Sequence, residues 1–224
     1  MYPGPIAATG SKGPITTESQ RTQRRTEAVT HSWQNRRMAA VLLLGDARLR
    51  VRSHEVARFG EAPFLQEVAT LHATLAAFRA RQGFGRAISA PQIGIPLRFI
   101  AVNLSKGPFT IVNPVVTGTS AGSFTMWDDC MSFPDLLVRV RRKESLSLEY
   151  ADENGKLQVW PELDLAAAEL LQHEIDHLDG VLAVDRAIDR DSLIMRAEFE
   201  RETERYVAMV DYTIGGESRR RASP

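Results

Sequence analysis

The most informative part of the sequence is a short polar cluster, His173-Glu174-Ile175-Asp176-His177, within a segment of helical apolar spacing. Residues four apart share one face of a helix, so the two imidazoles can reach the same metal ion. A glutamate directly after the first histidine lies beside the open coordination position, where it can accept a proton from a water and pass it on. The pattern therefore predicts a hydrolytic metal site with His173 and His177 as ligands and Glu174 as general base.

A catalytic site of this kind needs a third protein ligand. No histidine follows His177, although Asp179, Asp185 and several glutamates do. Cys130 is the single cysteine of the chain, and a thiolate with two imidazoles is a strong set of ligands for a divalent metal. A lone cysteine is often only a buried apolar residue, but beside this histidine pair we interpret Cys130 as the third ligand.

Composition limits the class of protein. The 224 residues suffice for one domain with a sizeable core. Lys plus Arg and Asp plus Glu number 28 each, and a net charge of zero argues against a dedicated nucleic-acid binder, so no DNA partner is expected. No apolar run approaches the roughly 18 residues of a membrane span, so no membrane partner is expected. One cysteine excludes an intrachain disulfide and favours a reducing compartment.

The sequence divides into three parts. Residues 1–37 are rich in Thr, Ser, Gly, Gln and Arg and offer little apolar surface, so they are predicted to be a disordered extension. A transit peptide is only weakly supported, because acidic residues interrupt the segment. A translation start at Met38 is another alternative. Residues 38–212 are predicted to be the catalytic domain, and residues 213–224, with Arg219–Arg221, a flexible basic tail.

Apolar spacing predicts an α+β fold. One helical stripe is formed by Phe64, Val68, Leu71, Leu75 and Phe78. Gly83 and Gly85 are expected to end this first helix. Strands are predicted at 97–102, 109–116 and 146–150, the last continuing through the turn at 152–155 into a hairpin. Further elements are expected as an extended segment or short strand at 41–46, a histidine-bearing helix at about 163–179 and a third helix at about 191–210.

Three segments together resemble the motifs of the peptide deformylases, which remove the formyl group from the N-terminal formyl-methionine of new polypeptides. The family pattern G-x-G-L-A-A-P-Q-x-G is similar to residues 85–94, E-G-C-L-S to residues 128–132, and Q-H-E-x-D-H-L-x-G to residues 172–180, the last completely. The resemblance covers about Val41 to Arg186. It implies mostly antiparallel β-sheets around a central metal-binding helix, with a C-terminal helix.

The resemblance also implies roles for individual residues. The implied ligands of one divalent ion, Fe²⁺ or Zn²⁺, are Cys130, His173 and His177. Glu174 would carry the water proton to the leaving amine, while the Gln92 side-chain amide and the Met131 backbone N–H would stabilise the oxyanion. The formylated nascent peptide would lie as an added strand against the edge from Gly85 to Ala90, which includes Arg86, Ala87 and Ile88, and against the segment after Cys130. Asp176 would accept a hydrogen bond from a ligating imidazole.

Departures from the motifs cluster around the substrate. Ala87 stands where the first motif has its second glycine, and its methyl group would hinder a positive φ or a close approach. Ser89 replaces an alanine, a small change. Asp128 replaces a glutamate and is one methylene shorter. Asp129 replaces a glycine and is expected to add an acid that disfavours anionic substrates.

Arg86 stands where the family tends to have an apolar residue of the methionine pocket. Glu169 lies one turn before His173 and therefore shares the metal-facing side of the helix. We hypothesise that Arg86 and Glu169 approach each other at the pocket rim and make the substrate pocket more polar or partly closed. In the alternative, both side chains point to solvent.

Other functions stay open at the level of sequence. The altered motifs fit an amidase of the same fold with a different N-acyl substrate. A catalytically inactive binding protein is a second alternative, although the retained ligands, Glu174 and Gln92 weigh against it. A metalloprotease is disfavoured because no downstream third histidine exists. The resemblance also implies transient ribosome contact and a cytoplasmic location, or an organellar one if residues 1–37 are a transit peptide.

Overall fold

The computed structural model describes residues 38–104 and 107–214. The predicted extension at 1–37 and most of the predicted tail, residues 215–224, lie outside the described residues. Within the described part of the chain, no helix combines the length and apolar character that a membrane crossing requires.

The described residues form two antiparallel sheets, and the larger has five strands in the order β1-β2-β3-β6-β7. Its strands are β1 (Ala87–Ser89), β2 (Phe99–Leu104), β3 (Gly107–Thr119), β6 (Leu146–Ala151) and β7 (Leu157–Trp160). The predicted hairpin is confirmed as β6 and β7, with Gly155 at a positive φ in the turn. Strand β1 pairs with β2 on one side only, so its other edge has no strand partner among the described residues.

The smaller sheet has three strands in the order β4-β5-β8. Its strands are β4 (Ser123–Asp129), β5 (Leu136–Lys143) and β8 (Leu193–Met195). Strand β4 ends directly before Cys130, and its register places Asp128 opposite Val138 of β5. The small sheet therefore fixes the position of Cys130, because this residue directly follows the last paired residue of β4.

Helix α1 (Ala62–Gln82) contains the predicted apolar stripe, and every residue of that stripe is buried. Pro63 in its first turn lacks an N–H, which costs nothing there. Gly83 ends the helix in the left-handed conformation at φ 77, as predicted.

Helix α2 (Leu165–Leu178) contains the histidine pair. The Asp164 carboxylate caps it by accepting from the Ala167 N–H, so the helix begins two residues later than expected. Gly180 follows its end at φ 74, where an added Cβ would lie 2.6 Å from the Arg50 carbonyl oxygen. The glycine thus lets the chain turn back against residue 50.

The two helices cover opposite faces of the large sheet. In β2, Phe99 and Ala101 face the core beside α1, whereas Ile100 and Val102 face the core beside α2. Burial on both faces explains why this strand is a continuous apolar run instead of an alternating one. Helix α2 also contacts β5 of the small sheet, so its polar residues lie between two sheets.

A C-terminal helical segment is confirmed, but the expectation of one continuous helix over 191–210 is wrong. Residues 193–195 form β8 against β5, and two short helices follow, α3 (Arg196–Arg201) and α4 (Thr203–Val207). Glu202 interrupts them at φ −124 and ψ 38. Pairing with a sheet edge thus overrides the local helical propensity of residues 193–195.

Of the two alternatives expected for residues 41–46, an extended segment or a short strand, the strand does not form. This segment instead uses single backbone hydrogen bonds, from the Leu42 N–H to the Gln92 carbonyl and from the Leu44 N–H to the Ser132 carbonyl, each 2.8 Å. It therefore lies beside two of the motifs identified in the sequence.

His72 is a buried histidine of α1 whose Nε2 lies 3.0 Å from the Thr110 hydroxyl. Burial lowers the pKa of His72 from 6.5 to about 3. Between pH 6.5 and about 3, His72 therefore binds a proton in the unfolded chain but stays neutral in the folded state. The stability due to neutral His72 is complete above pH 6.5 and is lost as the pH falls from there toward about 3.

We predict that lowering the pH from 7.5 to 5 costs about 2 kcal/mol of unfolding free energy through His72 alone. Urea denaturation with a chelator in every sample would show a smaller pH effect in His72→Gln by that amount. His54→Gln, at an exposed histidine, is the control. An equal pH effect in wild type and His72→Gln would contradict the prediction.

Candidate metal centre and substrate cleft

The three predicted ligands come together in the interior. The ligand atoms of Cys130, His173 and His177 all lie within 4.8 Å of one another, and all three residues are buried. His177 Nε2 lies 3.2 Å from both Cys130 Sγ and His173 Nε2. Helix α2 brings the two imidazoles to one face, and the turn after β4 brings the thiol to them.

This donor set fits a tetrahedral divalent ion. Metal–nitrogen bonds near 2.0–2.1 Å and metal–sulfur bonds near 2.3 Å place tetrahedral ligand atoms roughly 3.3–3.6 Å apart. The two 3.2 Å separations are close to those values. Three protein ligands would leave one position for water or substrate, as hydrolytic sites require.

Asp128 orients the first histidine. Its carboxylate lies 3.0 Å from His173 Nδ1, so Nδ1–H donates to Asp128 and the Nε2 lone pair is left for a metal. Burial alone would lower the pKa of His173, but the Asp128 charge outweighs it and raises that pKa well above its ordinary value. For His177, burial and the neighbouring His173 both lower the pKa.

The expectation that Asp176 accepts from a ligating imidazole is wrong. Its carboxylate instead binds Arg142 Nη1 at 2.5 Å and Arg186 Nη2 at 2.8 Å. Arg142 Nη2 reaches Asp128 Oδ2 at 2.8 Å. Asp176 therefore acts on His173 indirectly. It holds Arg142, which in turn holds Asp128, the residue that contacts His173.

Glu174 lies buried beside the ligands. Burial raises the pKa of its carboxyl group, while the charge of His173 lowers it in part. Its Oε2 accepts a hydrogen bond from the Ser89 hydroxyl at 2.6 Å. Ser89, which stands in place of a motif alanine and was expected to be a small change, thus contacts Glu174, the predicted general base.

Gln92 lies in a single 3₁₀ turn, residues 90–93, directly after β1. The Ser89 N–H donates to Gln92 Oε1 at 2.9 Å, which directs the amide nitrogen toward Cys130 Sγ, 3.6 Å away, and Ser132 Oγ, 3.3 Å away. The amide N–H groups therefore lie beside the predicted metal position, as an oxyanion donor would require.

A cleft of about 270 Å³ opens beside these groups. It is lined by most of the predicted site residues: Gly85, Arg86, Ala87, Gln92, Cys130, Met131, Glu169, His173 and Glu174. Ile88 is different, because its side chain is fully buried in the core beside α1. Any contact of Ile88 with substrate would therefore involve its backbone in β1.

Two positions in the first motif have distinct backbone requirements. Gly85 has φ 110, and a Cβ there would lie 2.5 Å from the Met131 methyl carbon. Ala87 is not among the described non-glycine residues with positive φ. The backbone of Ala87 is therefore not strained by a positive φ, and the residue forms part of the cleft wall.

The hypothesis that Arg86 and Glu169 approach each other is confirmed. Arg86 Nη2 binds Glu169 Oε1, and Arg86 Nη1 donates to the Ala166 carbonyl at 3.1 Å. The Glu169 side chain is 2% exposed and that of Arg86 27%. Burial raises the pKa of Glu169 to about 7, although Arg86 opposes this shift. The cleft thus has an ion pair in its wall.

Asp129 has a different environment from the one expected. Its carboxylate pairs with Arg196 Nη2 at 3.2 Å, while the Arg196 guanidinium lies 4.8 Å from the ring centroid of Phe84. The added acid is therefore compensated, which weakens the expected discrimination against anionic substrates. Neither Arg196 nor the cleft residue Ile214 belongs to a motif, so the sequence patterns do not indicate them.

We predict that Asp128→Asn lowers metal affinity about 10- to 100-fold, because the amide cannot supply the charge that orients His173. Competition with a chromophoric chelator measures the affinity. Asp129→Asn is the matched control: it removes the adjacent carboxylate, which binds Arg196 instead of a histidine. Equal affinities for Asp128→Asn and wild type would refute the role of Asp128.

The chain matches known proteins over most of its length. Residues 38–192 match the family model described as polypeptide deformylase. A peptide deformylase of Thermotoga neapolitana is 33% identical over 159 residues, which cover 71% of this chain and 93% of the relative. One of Helicobacter acinonychis is 35% identical over 162 residues, 69% of this chain and 86% of the relative.

Solved structures agree with these matches. The crystal structure of peptide deformylase from Thermotoga maritima superposes with a TM-score of 0.63 at 28% identity, covering 69% of this chain and 100% of that one. A peptide deformylase from Synechococcus elongatus in complex with actinonin also gives a TM-score of 0.63 at 28% identity, covering 77% of this chain and 88% of that one.

Proposed function

This chain belongs to the peptide deformylase family, and we propose how its residues carry out the hydrolysis of the N-formyl group. The cofactor of such an enzyme is a single Fe²⁺ or Zn²⁺ ion, and Cys130, His173 and His177 are the proposed ligands. When bound, the ion supplies Lewis acidity that activates water near neutral pH. The observation that carries the proposal is the convergence of the three ligands in the interior, with Cys130, His173, Glu174 and Gln92 lining one cleft.

Glu174 is proposed to move the proton. Its carboxylate accepts the proton of the attacking water and donates it to the nitrogen of the leaving amine, so that formate and a free N-terminus result. A general base works best when its pKa lies near the working pH. Burial raises the pKa of Glu174 in that direction from the ordinary value of 4.5.

Gln92 and Met131 are proposed to hold the oxyanion. The Gln92 amide nitrogen already lies 3.6 Å from Cys130 Sγ, with its orientation set by the Ser89 N–H. Met131 follows the cysteine directly, so its backbone N–H is carried by the same turn. Donors fixed before the reaction stabilise charge without further reorganisation.

The substrate is proposed to be the formylated N-terminus of a nascent peptide, bound along the edge of β1. That edge has no strand partner among residues 38–104 and 107–214, so an extended peptide can add to it. Gly85, Arg86, Ala87 and Glu169 would flank the first side chain in the cleft, and Ile88 would contribute only backbone.

We also propose that the enzyme acts in the cytoplasm and contacts the ribosome transiently. The support is the nature of the substrate, since formylated N-termini arise on chains that are still being made. The Arg219–Arg221 cluster can assist this encounter electrostatically. An organellar location is the alternative if residues 1–37 are a transit peptide.

We predict that the protein, purified without oxygen and loaded with Fe²⁺, releases formate from formyl-Met-Ala-Ser, and that Glu174→Ala leaves only a small residual rate of release. Loss of a general base in this position costs at least about 100-fold. Metal content of both proteins is the control for folding. No release by metal-loaded wild type would overturn the proposed reaction, and other N-acyl peptides would then be screened.

We further predict that Arg86→Ile/Glu169→Ile lowers the KM for formyl-Met-Ala-Ser, because an apolar wall suits the methionine side chain better than an ion pair. The double variant avoids leaving Glu169 buried without its partner. The single variant Arg86→Ile is compared with it. Unchanged kinetics in both variants would show that the ion pair has no part in substrate selection.

A further inference from the structure

Ser89 is the last residue of β1 and is fully buried between β1 and α2. Its backbone and side chain contact two different groups of the site. The N–H donates to Gln92 Oε1 at 2.9 Å, and the hydroxyl lies 2.6 Å from Glu174 Oε2. One residue therefore connects the proposed oxyanion donor with the proposed general base.

The Ser89 hydroxyl has one proton to donate, and two acceptors lie within hydrogen-bond distance. Glu174 Oε2 lies 2.6 Å and the Glu174 backbone carbonyl 2.8 Å from Ser89 Oγ. A hydrogen bond to a charged carboxylate is the stronger of the two, and the shorter distance agrees with it. The same hydroxyl can turn to the carbonyl oxygen, so it is never left without an acceptor.

We propose that Ser89 is a positioning residue for Glu174. By occupying Oε2, its hydroxyl fixes the rotation of the carboxylate and leaves Oε1 as the oxygen that receives the water proton. Oε2 stays an acceptor after Oε1 is protonated, so the contact persists through the proton transfer. This inference rests on the proposed deformylase reaction.

The physical reason for such a device is the freedom of a glutamate side chain. Glu174 has three side-chain torsions, and the last is broad, so packing alone fixes the carboxylate plane poorly. A displacement of a catalytic group by about 1 Å can cost on the order of 100-fold in rate. A buried hydroxyl at 2.6 Å restricts the carboxylate without charging the site.

The test is Ser89→Ala, which removes one oxygen and leaves the backbone bond to Gln92. We expect kcat for formyl-Met-Ala-Ser to fall about tenfold while KM stays within about twofold, because the group acts on the chemical step. Ser53→Ala is the matched control. Ser53 is also buried, but its hydroxyl has no hydrogen-bond partner among the described residues, so its removal should leave kcat unchanged.

A double-mutant cycle asks whether Ser89 acts through Glu174. In the Glu174→Ala background, Ser89→Ala should cause no further loss of the residual activity. The same cycle measured by thermal unfolding of the metal-free protein should also be non-additive, and this readout does not depend on turnover. Metal content per chain should be the same in Ser89→Ala and wild type.

Four results would overturn the proposal: unchanged kcat in Ser89→Ala, a rise in KM alone, an equal loss of activity in both backgrounds, or additive effects on unfolding. If Ser89→Ala does not hold metal, Ser89→Gly is measured by the same criteria, and failure of both variants to bind metal would assign Ser89 a structural role instead. Inactive wild type would overturn the proposed reaction, whereas active wild type with the same kcat in Ser89→Ala overturns only the role of Ser89.

Discussion

Buried charge is the constraint on which the arrangement of this protein depends. Helix α2 passes between two sheets with five buried ionisable side chains: Glu169, His173, Glu174, Asp176 and His177. Each would be costly to bury alone, because its charged form loses hydration. Four of them have a hydrogen-bonding or ion-pair partner outside the helix, and the fifth, His177, faces the thiol and the other imidazole. A metal ion completes this compensation.

The partners are drawn from well-separated parts of the chain. Arg86 and Ser89 come from the β1 region, Asp128 from β4 and Arg142 from β5. Arg142 binds Asp128 and Asp176 together, so it compensates two carboxylates with one side chain. A buried pair of this kind is costly to break because one charge is then left unpaired. The contacts that compensate the buried charges of α2 therefore also orient His173 and Glu174.

How much of this could be predicted from the sequence follows from the range of each interaction. The spacing of His173 and His177 and the stripe of α1 are local periodicities, and both were predicted correctly. The pairing of Asp128 with His173 spans 45 residues and depends on where β4 ends. No local pattern contains that information, and the sequence therefore suggests Asp176, an acid on the same helix, as the partner. The strand at Leu193–Met195, where a helix was expected to begin, has a similar cause, because these residues pair with β5 far away in the chain.

The separation of the ligands along the chain has a consequence for the fold as a whole. Cys130 and His177 are 47 residues apart, yet their ligand atoms are 3.2 Å apart. An ion held by both ends closes the intervening chain into a loop, as a disulfide would, and loop-closure entropy for that length corresponds to about 4 kcal/mol. In a protein with one cysteine, the reaction centre thus takes the place of a covalent cross-link. It ties the small sheet to helix α2 for as long as the ion stays bound.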